Sequence, residues 1–133
     1  MKIEEIFKRI SEAYDLGEGI EADEEGVYRL EMNDVVVAFR AFAEEEKLIS
    51  WVELGPLPAG SRLALCRAML KDSFGGGPND GASFVILDDQ IVLQRIDSLV
   101  EADERRPMEI ASSLAACAKP WIKTLAEVNH EAE

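Results

Sequence analysis

Three places in this chain carry residue types that perform chemistry elsewhere. Gly75-Gly76-Gly77-Pro78-Asn79-Asp80-Gly81 has the glycine content of a phosphate cradle, but no Gly-Lys-Ser/Thr follows. It also leads into a strand, whereas a phosphate loop opens a helix and uses that helix's free N–H groups. Asp88 and Asp89 could hold a divalent cation, yet adjacent carboxylates in a two-residue turn are more often solvated turn formers. Ser112 and Ser113 could act as nucleophiles only with a base. The one histidine, His130, lies about four turns or more along the same helix, out of their reach. General acid–base pairs could sit among the 27 acidic residues, but nothing marks two of them as convergent. Cys66 and Cys117 lack a CxxC spacing and stand beside apolar neighbours, which predicts free thiols in a reducing cytoplasm. These residues imply no catalytic set, no metal and no cofactor.

The composition narrows the partners. With 14 basic and 27 acidic residues the net charge is −13. Binding to a phosphate backbone depends on Lys and Arg displacing counterions, so nucleic acid and anionic membranes are excluded as expected partners. The acidity suits a basic partner, or simply keeps a protein with apolar patches in solution. The N-terminal Met1-Lys2-Ile3-Glu4-Glu5-Ile6-Phe7 is too interrupted by charge for a signal peptide, and no later run approaches a membrane span. A cytoplasmic location is expected. At 133 residues the chain reads as a single domain, 1–133, with a frayed tail over 129–133.

The elements follow from periodicity. From Lys2 to about Asp15, Ile3, Ile6, Phe7, Ile10, Ala13 and Tyr14 share one helical stripe, and Gly17 and Gly19 end it. An acidic turn, Glu21 to Gly26, leads to three strands. Tyr28, Leu30 and Met32 alternate with Arg29 and Glu31; Asn33-Asp34 turns tightly; Val35 to Phe42 runs back; Glu44-Glu45-Glu46 turns again into Leu48 to Leu54. Turns this short require antiparallel neighbours. Residues two apart share a face, so Val35, Val37, Phe39, Leu48, Ser50, Val52 and Leu54 should face the helices. The opposite face would carry Arg29, Glu31, Arg40, Lys47 and Glu53, but also Val36, Phe42, Ile49 and Trp51. Those four are a contact surface, or scattered surface hydrophobes, or the sign that the register is assigned one residue out.

The second helix leaves Gly55-Pro56-Leu57-Pro58 and places Leu63, Leu65, Cys66, Met69 and Leu70 on an arc of about 160°, wider than the roughly 100° that one sheet needs. Ala64 and Ala68 add a smooth strip on the far side. A helix with more than one surface to bury either packs centrally in a monomer or faces both a sheet and a second subunit. Two further strands, Ser83 to Leu87 and Ile91 to Ile96, join at Asp88-Asp89. A closing helix from about Arg106 carries Ile110, Ala111, Leu114, Ala118, Trp121, Ile122 and Leu125 on one face, and Pro120 should kink or restart it. The fold class is α+β, in the order α-β-β-β-α-β-β-α, with an antiparallel sheet packed against helices.

This order, the acidity and the length resemble the class I effector chaperones of bacterial type III secretion. The resemblance runs from about Ile3 to Leu125. It rests on an opening helix with Ile6, Phe7 and Ile10, a meander ending in Gly55-Pro56-Leu57-Pro58, and a helix through Leu63, Leu65, Met69 and Leu70. A hairpin from Phe84 to Leu93 and a closing helix with Trp121 and Leu125 complete it. No single motif is specific; the joint order carries the likeness. The resemblance implies a homodimer built on the second helix, with Leu63, Leu65, Cys66, Met69, Leu70, Phe84 and Ile86 at its interface. It also implies that the N-terminal segment of an effector wraps the dimer in extended form without ATP, which is coupled ordering of a disordered peptide in preformed grooves. Ile3, Phe7, Val36, Phe42, Ile49 and Trp51 are the expected groove residues. The competing reading is a regulatory or sensory module of the same fold that binds a folded partner or a small ligand.

Overall fold

The computed structural model describes residues 2–13, 20–42, 44, 46–59, 62–73, 81–100 and 103–132. In chain order these form α1 (Ile3–Ala13), β1 (Val27–Met32), β2 (Val35–Phe42), β3 (Lys47–Pro56), α2 (Arg62–Ser73), β4 (Ser83–Leu87), β5 (Gln90–Ser98) and α3 (Arg105–Ala132). Tyr14 and Asp15, Gly17 and Gly19, Glu45, and the Gly75–Asp80 stretch lie outside the described residues.

All five strands form one antiparallel sheet in the order β1-β2-β3-β5-β4. Two tight hairpins set its registers. Asn33 and Asp34 both have positive φ, 52° and 66°, as do Asp88 and Asp89 at 50° and 61°. Such paired left-handed residues make a turn whose twist matches that of the flanking strands, and Asn and Asp tolerate that conformation best after glycine. Met32 therefore pairs with Val35, and Leu87 with Gln90. The β3-to-β4 connection is different: it passes through α2 and places β4 at the sheet edge, beyond β5.

Alternation splits the sheet into two faces. Tyr28, Leu30, Val35, Val37, Phe39, Leu48, Val52, Leu54, Ile91 and Leu93 are buried on the inner face. They form one core with Ile6, Phe7 and Ile10 of α1 and Ile110, Leu114, Ala118 and Leu125 of α3. Ser50 is inward and buried as expected, although its hydroxyl finds no hydrogen-bond partner among the described residues. α3 lies along β3 and β2, while α2 packs on β4 at the far side.

Pro120 does not restart the helix, which runs unbroken from Arg105 to Ala132. Pro120 and Ala116 are both exposed, so water can take the carbonyl that proline leaves without a donor. The helix continues past residue 129 to Ala132, and Glu133 lies outside the described residues. The Asn129 side-chain amide donates to the carbonyls of Pro56 and Leu125, each at 3.0 Å, and fastens the last turns to the end of β3.

Charge also fixes local structure. Asp97, on the inner face of β5, is buried and receives a two-pronged bond from Arg95 at 2.8 and 2.9 Å. Arg106 in the first turn of α3 reaches the same carboxylate at 2.6 Å. One anion thus ties β5 to the start of α3. The acidic turn before β1 is organised by Asp23, whose carboxylate accepts the N–H groups of Glu25 and Val27 and the Arg29 guanidinium at 2.7 Å. That Arg29 bond, then the Val27 N–H, holds the carboxyl down to about 2.

Candidate functional site

The outer face of the sheet is where apolar surface is left over. The registers align Arg29, Ala38, Trp51, Gln94 and Ser83 in one row across all five strands, with Val27, Arg40, Ile49 and Ile96 in the next. All three helices join the inner core instead. Among the described residues of the outer face only Val27, Ala38 and Val92 are buried; Val36 is 51% exposed, and Phe42, Ile49 and Trp51 are half-buried. Arg40 covers part of Phe42, its guanidinium carbon 5.2 Å from the ring centre, a cation–π contact that holds both side chains on the surface.

Two concavities meet at Trp51 and Glu53. A groove of about 380 Å³ has Phe42, Ile49, Trp51, Val92 and Leu87 as its apolar lining, with Arg40, Glu53 and Asp88 among its polar residues. Beside it lies a slot of about 310 Å³ between β2 and β3, with Val36, Trp51 and Val52 on its walls and Ile122 of α3 among its lining. The slot exists because β2 and β3 part company. Their register ends at Ala38 opposite Trp51, although β2 begins three residues earlier and β3 continues to Pro56. A bulge between Glu53 and Gly55 in the β3–β5 ladder accounts for the divergence, since an extra residue bends the strand and sharpens its twist. Gly55, at φ 144°, holds a conformation that other residues rarely adopt.

Val36, Phe42, Ile49 and Trp51 therefore share one surface, with Leu87 and Val92 from the other hairpin beside them. Those two were not singled out from the sequence, although the two-residue turn at Asp88-Asp89 fixes their face once Trp51 is placed. Ile3 is half-buried at the margin of the core. Phe7 is a correction. It is 0% exposed, stacked on Tyr28 and tilted against Phe39, so it anchors α1 and lines no surface groove.

The α2 residues divide likewise. Met69 is 3% exposed and belongs to the chain's own core, which removes it from the surface set. Leu63 and Leu70 are 66% and 72% exposed, Leu65 and Cys66 are half-buried, and Ala64 and Ala68 are exposed. On β4, Ile86 is 48% exposed, while Phe84 meets Trp121 edge-on at 5.0 Å. The side of α2 turned from the core is thus the second uncovered apolar surface, and it continues onto β4.

Among the described residues no three His, Cys, Asp or Glu side chains converge on a point where a metal ion would sit, and no helix is long and apolar enough to cross a membrane. Among the described residues the fold is an α+β architecture, a sheet with helices on one side and two apolar surfaces open to solvent. The profile of the Tir chaperone protein (CesT) family matches residues 5–120, and the chain belongs to that family. Comparison with curated proteins finds no match.

Solved structures share the fold at low identity. A chain of the ExsC–ExsE complex is 16% identical with a TM-score of 0.73, the match covering 91% of each chain. A chain of the ExoU–SpcU heterodimer of the Pseudomonas aeruginosa type III secretion system is 15% identical with a TM-score of 0.64, covering 96% of this chain and 97% of that one. A chain of the ExoT–SpcS complex, also from Pseudomonas aeruginosa, is 16% identical with a TM-score of 0.60, covering 86% and 92%.

Proposed function

We infer that this protein is a cytoplasmic, non-enzymatic chaperone that binds the N-terminal region of a type III secretion effector in extended form and keeps it competent for export without ATP. Family membership supports the chaperone role, and the structures of similar fold include the HopA1–SchA chaperone–effector complex, a chain of which matches with a TM-score of 0.70 at 10% identity. The observation that carries the reading is the outer sheet face, where Phe42, Ile49 and Trp51 line an apolar groove that no helix among the described residues covers. An unfolded segment gains by laying alternate side chains there, because burial returns roughly 25 cal/mol per Å² of apolar surface, while the chaperone itself has little to reorder.

The working unit is a homodimer joined through α2 and β4. Leu63 and Leu70, with Leu65 and Cys66 beside them and Phe84 and Ile86 across on β4, supply an apolar patch that a second copy would cover. Ile3, packed at the margin of the inner core, lies on the helix side of the sheet and not on this client surface.

The test is recovery of the partner. The intact protein, used as bait in its own cell extract, should retain one or a few secreted proteins, and proteolysis of the complex should leave an N-terminal client segment protected. Trp51→Ala should weaken that retention about ten-fold or more while leaving the melting temperature nearly unchanged. A client that stays compact and protease-resistant throughout when bound, or binding indifferent to Trp51, would contradict the reading.

A further inference from the structure

We propose that the outer face selects a client segment in which lysine or arginine alternates with apolar residues, and that Glu53, flanked by Asp34 and Asp88, is what reads the cations. The inference rests on the client-holding role and adds the chemistry of the sequence that is held.

The slot and the groove share Trp51 and Glu53, so together they form one continuous lane from β2 across β3 and β5 to β4. At about 4.8 Å per strand this lane is roughly 15 Å long, the reach of four to five extended residues. Its floor is apolar, with Val36, Trp51, Ile49 and Val92 along it. Its ionic groups are unequal in what they have left to offer. Arg29 already bonds Asp23 at 2.7 Å, and Arg40 lies over Phe42. Among the described residues no cation pairs with Asp34, Glu53 or Asp88, all of which are exposed. Three uncommitted carboxylates thus border an apolar lane whose arginines are engaged, on a protein of net charge −13.

The backbone points to an extended occupant. Val36 and Glu53 would be the next pair after Ala38 and Trp51, and no ladder pair joins them. In an antiparallel ladder, alternate residues aim both backbone groups at the same neighbour. Ala38 and Trp51 face each other in this way, so Val36 and Glu53, two residues further on each strand, aim theirs into the slot. An extended peptide entering there meets backbone donors and acceptors, an apolar wall and the Glu53 carboxylate together. A residue whose apolar side chain enters the slot leaves its neighbours pointing outward, where a lysine ammonium reaches Glu53 or Asp88.

Three capped peptides of about ten residues test this, each with leucine at the same alternate positions and with lysine, glutamine or glutamate between them. Each is titrated against the intact protein by fluorescence polarisation at about 50 and about 300 mM salt. The lysine peptide should bind at least about ten-fold tighter than the glutamine one at low salt and the glutamate peptide weakest, with the gap narrowing at high salt. Asp34→Asn combined with Glu53→Gln, both surface changes, should bring the lysine and glutamine peptides to within about two-fold of each other. Trp51→Ala should weaken all three. Equal binding of the lysine and glutamine peptides, or a lysine preference that survives the double change or ignores Trp51, overturns the charge selectivity. So does failure of every peptide while the intact client still binds. If the client also ignores Trp51, the client-holding role on this face fails as well.

Discussion

The ring of Phe7 lies flat on that of Tyr28, with centroids 4.3 Å apart and planes within 6° of parallel. The stack joins α1 to the inner face of β1, and Phe39 closes on it from β2 at 5.3 Å. Burial of the phenol, with Glu4 nearby, pushes its ionisation above the ordinary tyrosine value. Phe7→Ala should therefore cost about 3–5 kcal/mol of stability, as aromatic truncations in cores do. Chemical denaturation would measure it. Client affinity per folded molecule should stay unchanged, which separates Phe7 from Trp51.

Neighbouring positions on α2 should give opposite results. Leu70 is exposed and Met69 is in the core. Leu70→Asp should leave a folded monomer, because the charge stays in water once the partner is gone. Met69→Asp should unfold the chain, because a buried carboxylate there has nothing to pair with. Sedimentation and circular dichroism on the two variants distinguish these outcomes; a dimer that persists in Leu70→Asp would exclude α2 as the interface.

The Asp97 anchor makes a further forecast. Asp97→Asn leaves Arg95 and Arg106 without their shared anion. The cost should be roughly 2–3 kcal/mol, below that of a fully buried pair because Arg106 is partly solvated. Hydrogen exchange should show the loss concentrated at the first turns of α3 and the end of β5.

Acid should act visibly on the Asp23 turn. Its folded carboxyl sits at about 2, against an ordinary 3.8. A depressed carboxyl stabilises fully above its unfolded value, and that contribution disappears as pH falls through the folded one. Between about pH 4 and pH 2 the wild type should lose this increment. Asp23→Asn should lack it at every pH, so the two melting curves should converge toward pH 2. A gap between them that stays constant across that range would contradict the assignment.

Much of the fold was legible because its strands alternate strictly and its hairpins are short. Val35, Val37 and Phe39 inside with Val36 and Phe42 outside follow from a period of two, and Asn33-Asp34 and Asp88-Asp89 fixed the pairing. The strand order was not legible, since the crossover through α2 places β4 by tertiary packing alone. Nor does an apolar arc say what covers it. Met69 and Leu70 differ by about 100° around the helix, yet one meets this chain's own core and the other solvent. Phe7 belongs to the same stripe as Ile3, and only the stack on Tyr28 shows that it is interior. Asp97 and Arg106 meet across a turn between different elements, a contact that no local pattern records.

Amide hydrogen exchange of the protein with and without its client tests the central claim most directly. Holding an extended segment on the outer sheet face predicts new protection at Val36, at Ile49 to Glu53 and at Val92, with the inner faces of α1 and α3 unchanged. Protection confined to the helices, with the Val36–Glu53 opening exchanging as fast as in the free protein, would contradict it.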